Sequence, residues 1–191
     1  MKKIIFDILQ DSVKVKDQLI KDSIDLIQKC ANRLAACITS NHKILIFGNG
    51  GSAADAQHIA AEFVNRFQIE RPPLAALALT TNTSIITSIG NDYHFDEIFS
   101  KQIIALGKKD DIVIGISTSG GSKNVIKAIH AAKNIGAFSI GLTGRGGELS
   151  KCADIVFEVQ SDTTARIQEA HIFLGHVLCD LVDRILFPEK F

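Results

Sequence analysis

The chain has 191 residues, of which 46% are hydrophobic, so it is long enough to bury one substantial core and has the size of a single domain. Its 21 basic and 21 acidic side chains cancel, which argues against nucleic acid or an anionic membrane as a partner. The four cysteines show no CxxC spacing and stand among apolar residues, a pattern that favours buried thiols over a zinc knuckle or disulfides.

The N-terminal segment, residues 1–40, places apolar residues at helical spacing without a Gly or Pro. We predict two helices here, which belong to the same domain as the rest of the chain and take part in oligomerisation. Charges at Asp7, Asp11 and Lys14 interrupt the apolar pattern before a signal-peptide core could form. No apolar run approaches the roughly 20 residues that span a bilayer, so the sequence predicts a cytoplasmic protein.

The remaining residues, 41–191, alternate short apolar runs with Gly-, Ser- or Asn-rich turns and helix-period segments, which is typical of a parallel α/β sheet. Five strands are predicted, at Lys43–Phe47, Leu74–Leu79, Ile112–Ile116, Ala137–Leu142 and Ile155–Val159. Helices are predicted at about 52–67, 83–89, 95–106, 122–135, 147–152 and 163–187. The last of these helices is apolar over most of its circumference, so we expect it to be buried on several sides, in part by other subunits.

A glycine-rich loop, Gly48-Asn49-Gly50-Gly51-Ser52-Ala53, follows the first predicted strand and leads into a helix, so its backbone N–H groups can face an anion. The spacing satisfies G-x-G-x-x-A, but a dinucleotide site also needs an acidic residue after the second strand. That position reads Leu79-Thr80-Thr81-Asn82, and no P-loop motif occurs in the chain. We therefore predict no nucleotide cofactor.

Two polar pairs lie between the glycine-rich loop and the third strand. His58 and Glu62 are four residues apart on the first crossover helix and share one face, although such pairs are common on helix surfaces. Asn91 and Asp92 lie in a predicted loop before the helix at 95–106. Turn formation alone explains an Asn-Asp pair, but a loop at the carboxyl edge of the sheet is also a place for ligand contact.

A second loop, Ser117-Thr118-Ser119-Gly120-Gly121-Ser122, follows the third strand and opens a helix. Four hydroxyls and two glycines at a helix N-terminus can surround a phosphate without a lysine. Ser122 alone could be a helix cap, but capping does not require four hydroxyls. The loop therefore predicts a phosphate site.

The final helix carries polar groups on an apolar surface, where burial costs free energy unless they have partners. Gln168 and His176 are eight residues apart, which corresponds to a rise of about 12 Å and an angular offset of about 80°. His171 lies on the same helix and could be the functional histidine instead of His176, and the spacing does not decide between them.

Four segments together carry a resemblance to a known family. They are FGNGGSAADAQHIAAEF, SIGNDYHFDEIF, GISTSGGSKNVIKAI and ARIQEAHIFLGHVLCDLVD. In this order and register they resemble the phosphoheptose isomerases of the SIS (sugar isomerase) family. The resemblance implies a flavodoxin-like five-stranded parallel sheet and a homotetramer with active sites between subunits. It also implies conversion of sedoheptulose 7-phosphate to D-glycero-D-manno-heptose 7-phosphate, the first step towards activated heptoses of bacterial lipopolysaccharide and other surface polysaccharides.

The family's site residues carry over by motif. Glu62 and His176 would be the acid and base pair. A zinc ion, which members of the family carry, would be held by His58, Glu62, Gln168 and His176. Phosphate contacts would come from Ser52, Ser117, Thr118, Ser119 and Ser122, and sugar contacts from Asn49, Gly50, Gly51, Glu62, Asn91, Asp92 and Gln168.

A second branch of the same family offers an alternative function. The stretches SAADAQH, NRF, ERP and CDLVD are also similar to the DnaA initiator-associating protein, a tetrameric regulator without catalytic activity. That branch lacks the carboxylate and the imidazole that align with Glu62 and His176. Because this chain has both groups, the sequence favours the enzyme over the regulator.

Overall fold

The structure, a computed structural model, describes residues 1–191. A five-stranded parallel sheet has the order β2-β1-β3-β4-β5. Its strands are β1 (Ile44–Gly48), β2 (Ala76–Ala78), β3 (Ile112–Ser117), β4 (Phe138–Thr143) and β5 (Ile155–Glu158). The helices are α1 (Lys2–Thr39), α2 (Gly51–Val64), α3 (Thr83–Asp92), α4 (Ser100–Leu106), α5 (Lys123–Asn134), α6 (Leu149–Cys152) and α7 (Thr164–Leu186), with 3-10 turns at Phe95–Glu97 and Pro188–Lys190. This order is the flavodoxin-like one that the resemblance implied.

The sheet lies between two hydrophobic clusters because successive side chains of a strand point to opposite faces. On β1, Ile44 and Ile46 contribute to the larger cluster with apolar residues of α1, α2 and α7. Leu45 and Phe47 contribute to the smaller cluster with residues of α4, α5 and α6. The central strands are therefore buried on both faces, which explains their continuous apolar runs.

Three differences from the predicted elements have local causes. The N-terminal segment is helical as predicted, but the division into two helices is wrong, because no Gly or Pro ends the backbone ladder of α1 before Thr39. The predicted helix at 95–106 is divided into a 3-10 turn and α4. The second strand is only three residues long, since it is an edge strand that pairs with β1 alone.

Two further observations concern composition. All four cysteines are free and buried, which confirms the prediction of buried thiols. None of the helices has both the length and the apolar character that a membrane crossing requires.

Candidate active site

The two loops predicted to bind an anion leave the same edge of the sheet next to each other. β1 and β3 are parallel neighbours, and Gly48 at the end of β1 pairs with Ile116 near the end of β3. The chain moves outward from β1 to β2 on one side and from β3 to β4 on the other. The order of strands therefore reverses between β1 and β3, the place where parallel α/β sheets bind ligands.

The serine-rich loop forms a cluster of hydroxyls above β3. The Oγ atoms of Ser117 and Ser122 are 2.8 Å apart, and those of Ser117 and Ser119 are 3.5 Å apart. Ser122 precedes α5 but makes no side-chain cap bond, so capping does not occupy its hydroxyl. Gly121 N–H donates to Ser119 Oγ at 3.2 Å. The loop thus gathers neutral donors at the N-terminus of α5, an arrangement suited to a phosphate.

The glycine-rich loop is tied to this hydroxyl cluster by two asparagines. Each amide donates to the other, with Asn49 Nδ2 to Asn124 Oδ1 and Asn124 Nδ2 to Asn49 Oδ1 both at 2.8 Å. Asn124 is buried, and its Oδ1 also accepts from the N–H of Val125. Sequence reasoning missed Asn124. Asparagine is unfavourable in helix interiors, so an asparagine in the first turn of a helix beside a candidate loop is a usable signal.

Gln168 of α7 lies against the start of α2. A Cβ atom at Gly51 would clash with the Gln168 side-chain amide, so glycine allows the two helices to approach here. Ser52 follows at the same helix start and is buried. The contact of Gln168 with substrate and its part in holding a metal both stay predictions.

His58, Glu62 and His176 converge where α2 meets α7. His58 Nε2 is 3.0 Å from Glu62 Oε1 and 3.4 Å from His176 Nε2. One donor atom from each residue lies within 4.8 Å of the other two. The Phe67 ring stacks on the His176 imidazole with a centroid distance of 5.3 Å, which limits its orientations. Two imidazole nitrogens and one carboxylate oxygen form a donor set that fits zinc.

The environment of His176 favours a neutral imidazole. Burial lowers its pKa below the ordinary histidine value, and the charge of His58 lowers it further, while Glu62 opposes the shift. A neutral ring can accept a proton, as an acid and base residue must. Asp55, one turn before His58 on α2, has a buried Oδ2 without a hydrogen-bond partner and a pKa raised by burial.

The structure decides between the two histidines of α7. His171 is completely buried, and its Nε2 is 3.2 Å from the carbonyl oxygen of Thr143 at the end of β4. Its ring makes no hydrogen bond to any of the predicted site residues. His176 is therefore the histidine of the candidate site, and His171 is a core residue that joins α7 to the sheet.

We expect His171 to make the fold sensitive to mild acid. Burial lowers its pKa to about 4 from the ordinary value of 6.5, so between these values the unfolded chain binds a proton that the folded chain does not. Stability contributed by the neutral ring is complete above pH 6.5 and is lost as the pH falls towards 4. Between pH 7 and pH 5 the free energy of unfolding should fall by about 2 kcal/mol.

Urea titrations at the two pH values measure this change. His171→Gln should be less stable at pH 7 but should show a smaller loss between pH 7 and pH 5. The exposed His130 serves as the control, since His130→Gln should keep the wild-type pH dependence. An equal loss in wild type and His171→Gln would contradict the assignment.

Asn91 and Asp92 are not in a loop, as the sequence predicted, but in the last turn of α3. The helix continues to Asp92 because no Pro interrupts its backbone ladder, and the N–H of Tyr93 still donates to the carbonyl oxygen of Ile89 at 3.0 Å. Both side chains are exposed, and Asn91 Nδ2 donates to Asp92 Oδ1 at 2.8 Å. Neither side chain is hydrogen-bonded to the other predicted site residues, so their contact with substrate stays a prediction.

Comparison with known proteins identifies relatives that cover nearly the whole chain. Residues 9–144 match the model of the family described as SIS domain. The phosphoheptose isomerase of Nitratidesulfovibrio vulgaris strain Hildenborough is 52% identical over 187 residues, which are 97% of this chain and 90% of that protein. The phosphoheptose isomerase of Thermodesulfovibrio yellowstonii is 56% identical over 179 residues, or 93% of this chain and 89% of that protein.

A solved structure agrees with these sequence matches. The phosphoheptose isomerase from Neisseria gonorrhoeae is 44% identical, with a TM-score of 0.89, and the match covers 95% of this chain and 98% of that one. The resemblance predicted from the four sequence segments and the predicted fold class are both confirmed.

Proposed function

The chain belongs to the SIS domain family, among its phosphoheptose isomerases, and we propose that it converts sedoheptulose 7-phosphate to D-glycero-D-manno-heptose 7-phosphate through an enediol. The observation that carries this proposal is the placement of Glu62 and His176 at the junction of α2 and α7, while the hydroxyl cluster lies at the end of β3. By helix rise, Glu62 is about 15 Å along α2 from Ser52. The substrate must therefore be extended, with its phosphate remote from the carbons that react.

In the proposed reaction, Glu62 removes the C1 proton of the open-chain ketose and returns it to C2. His176 moves protons between the two oxygens or assists ring opening, which its neutral imidazole permits. The phosphate, bound by the loop from Ser117 to Ser122, holds the reacting carbons in place as a remote handle. The product is an aldose phosphate, the first precursor of activated heptoses for lipopolysaccharide and related polysaccharides, and we place this reaction in the cytoplasm.

Zinc is the metal that fits the donor set of His58, Glu62 and His176, with Gln168 as the fourth ligand carried over from the family. When bound, the ion would supply Lewis-acid stabilisation of negative charge near the reacting oxygens. Gln168 is about 12 Å along α7 from His176, so side-chain movement or a neighbouring subunit is needed for both to reach one ion. Metal analysis after purification without chelators should find one zinc per chain.

The test of the function is direct. Purified protein incubated with sedoheptulose 7-phosphate should form the aldose phosphate, as followed by nuclear magnetic resonance. In deuterium oxide the product should carry deuterium at C2, since a proton held by a carboxylate exchanges with solvent. A folded, metal-loaded protein that leaves the substrate unchanged and captures DnaA would instead belong to the regulatory branch.

We further propose a homotetramer in which residues 1–40 supply most of the contact surface. The first part of α1 exposes a row of large apolar residues that nothing in the chain covers, namely Ile4, Ile5, Phe6, Ile8 and Leu9. On α7, Leu174, Leu178 and Val182 are buried within the chain, whereas Phe173, Val177 and Leu181 are only partly buried. Light scattering at micromolar concentration should give four times the chain mass. A monomer would contradict both the tetramer and active sites shared between subunits.

Replacing Ser119 with alanine is expected to weaken substrate binding more than turnover. The hydroxyl is one of several donors around the phosphate and carries no proton in the reaction. Loss of one neutral hydrogen bond should raise KM about twofold to tenfold with little change in kcat. Steady-state kinetics measure both, and Ser40→Ala, an exposed serine at the end of α1, is the matched control. A large fall in kcat with unchanged KM would contradict a phosphate-binding role.

A further inference from the structure

A buried ion pair joins the segment that follows α2 in the chain to α7. Arg71 lies between α2 and β2, and its Nε donates to Asp183 Oδ1 at 2.7 Å. The side chains of Arg71 and Asp183 are 0% and 1% exposed. Such a pair is weak evidence for net stability, because the loss of hydration offsets the attraction between the charges. The role of the pair is therefore sought in the groups that the Arg71 guanidinium holds in place.

The other nitrogens of Arg71 bind the end of α2. Nη2 donates to the carbonyl oxygen of Glu62 at 2.8 Å, and Nη1 donates to that of Phe63 at 2.8 Å and to that of Asn65 at 3.3 Å. The last carbonyls of a helix lack partners within the helix, and a positive charge there is favourable. The last turn of α2 has no basic residue of its own. Arg71 thus caps α2 from outside the helix, with one bond on the backbone of Glu62 itself.

The carboxylate of Asp183 lies on the same side of α7 as His176. Asp183 follows His176 by seven residues on α7, close to two full turns, so the two side chains leave the same side of the helix. On that side His176 contacts His58 of α2, with 3.4 Å between the Nε2 atoms. The helices that carry Glu62 and His176 are therefore joined twice, once at the site and once through Arg71.

We propose that Arg71 is a positioning residue that sets the distance between Glu62 and His176, an inference that rests on the proposed isomerase function. The planar guanidinium reaches Asp183, two carbonyls of α2 and the carbonyl of Asn65, which follows the helix, at once. A lysine ammonium would keep the charge but could not span these directions from one rigid group. Arg71 makes no hydrogen bond to the side chains of Glu62 and His176 or to the phosphate loop, so it acts on the chemical step only through the two helices.

The test is Arg71→Lys, measured by kinetics and by crystallography. A misplacement of the acid and base pair should lower kcat about tenfold to a hundredfold. KM for sedoheptulose 7-phosphate should change less than about twofold, since the phosphate loop lies between β3 and α5. A crystal structure of the variant should show the end of α2 displaced and the contact between His58 and His176 lengthened.

Ile103→Ala is the matched control, because Ile103 is buried in the cluster on the other face of the sheet. It should lower the melting temperature while kcat and the contact between His58 and His176 stay as in wild type. If Arg71→Lys does not fold, Asp183→Asn, which keeps the size of the partner but removes its charge, is measured in the same way and should lower kcat about twofold to tenfold.

The outcomes separate the two proposals. Unchanged kcat and unchanged spacing of His58 and His176 in the folded variant would overturn the positioning role of Arg71. An inactive wild type would overturn the isomerase function, but the displaced helix end in the crystal structure would still establish positioning.

Discussion

Glu62→Gln is expected to lower kcat for isomerisation of sedoheptulose 7-phosphate by roughly 10²–10⁴, the range typical for loss of a general base. Glutamine keeps the size of the side chain and can still accept a hydrogen bond from His58, but its amide cannot take a proton from carbon. Substrate binding through the phosphate loop should be retained, so KM should change little. Stopped reactions analysed by nuclear magnetic resonance measure kcat over this range.

The control for this substitution is Glu70→Gln. Glu70 also pairs with a basic residue four positions away, Arg66, but it is exposed and far less constrained, with 3.7 Å between the charged groups. Its replacement should leave kcat unchanged, because an exposed helical pair is worth only about 0.2–0.5 kcal/mol. If Glu62→Gln is folded by circular dichroism, binds substrate and is fully active, Glu62 is not the base and the mechanism fails.

His176→Asn is expected to cause a second loss of roughly 10²–10⁴ in kcat, since asparagine cannot shuttle protons near neutral pH. The fold should be retained, because His176 is only partly buried and the two helices stay joined by Arg71 and Asp183. Exposed His130 on α5 provides the control, and His130→Asn should have wild-type kcat.

The response of His176→Asn to added zinc distinguishes two roles of the imidazole. A residue that transfers protons is not replaced by metal, so the loss should persist at any zinc concentration. Partial recovery with excess zinc would mean that His176 serves only as a ligand, since weakened metal binding is overcome by mass action. Metal content measured in parallel verifies that the variant is loaded.

Local features of the sequence were sufficient for much of the fold and for part of the site. The buried strands are visible as apolar runs because a strand covered on both faces needs no polar positions. The loops after β1 and β3 are visible because glycines and hydroxyls follow each run directly. His58 and Glu62 could be paired from sequence because a spacing of four residues places side chains on one helical face whatever the tertiary structure.

Features that depend on contacts between distant segments required the tertiary structure. The spacing along α7 could not choose His176 over His171, because the choice depends on which side of that helix meets α2 and which meets β4. The bond between Asn49 and Asn124 also joins residues far apart in the chain. Helix periodicity describes what shares a face, but only the packing of helices on the sheet decides what that face touches.

The sequence by itself therefore determined the order of the strands and helices along the chain, the two loops that we predict to bind an anion, and the His58 and Glu62 pair, since these follow from local periodicity and turn chemistry. The tertiary structure decided which histidine completes the site, that the N-terminal segment is one helix with an uncovered apolar row, and that Arg71 caps α2 through a bond to Asp183, 112 positions along the chain. The physical reason is that burial and hydrogen bonding between distant residues depend on how whole elements pack.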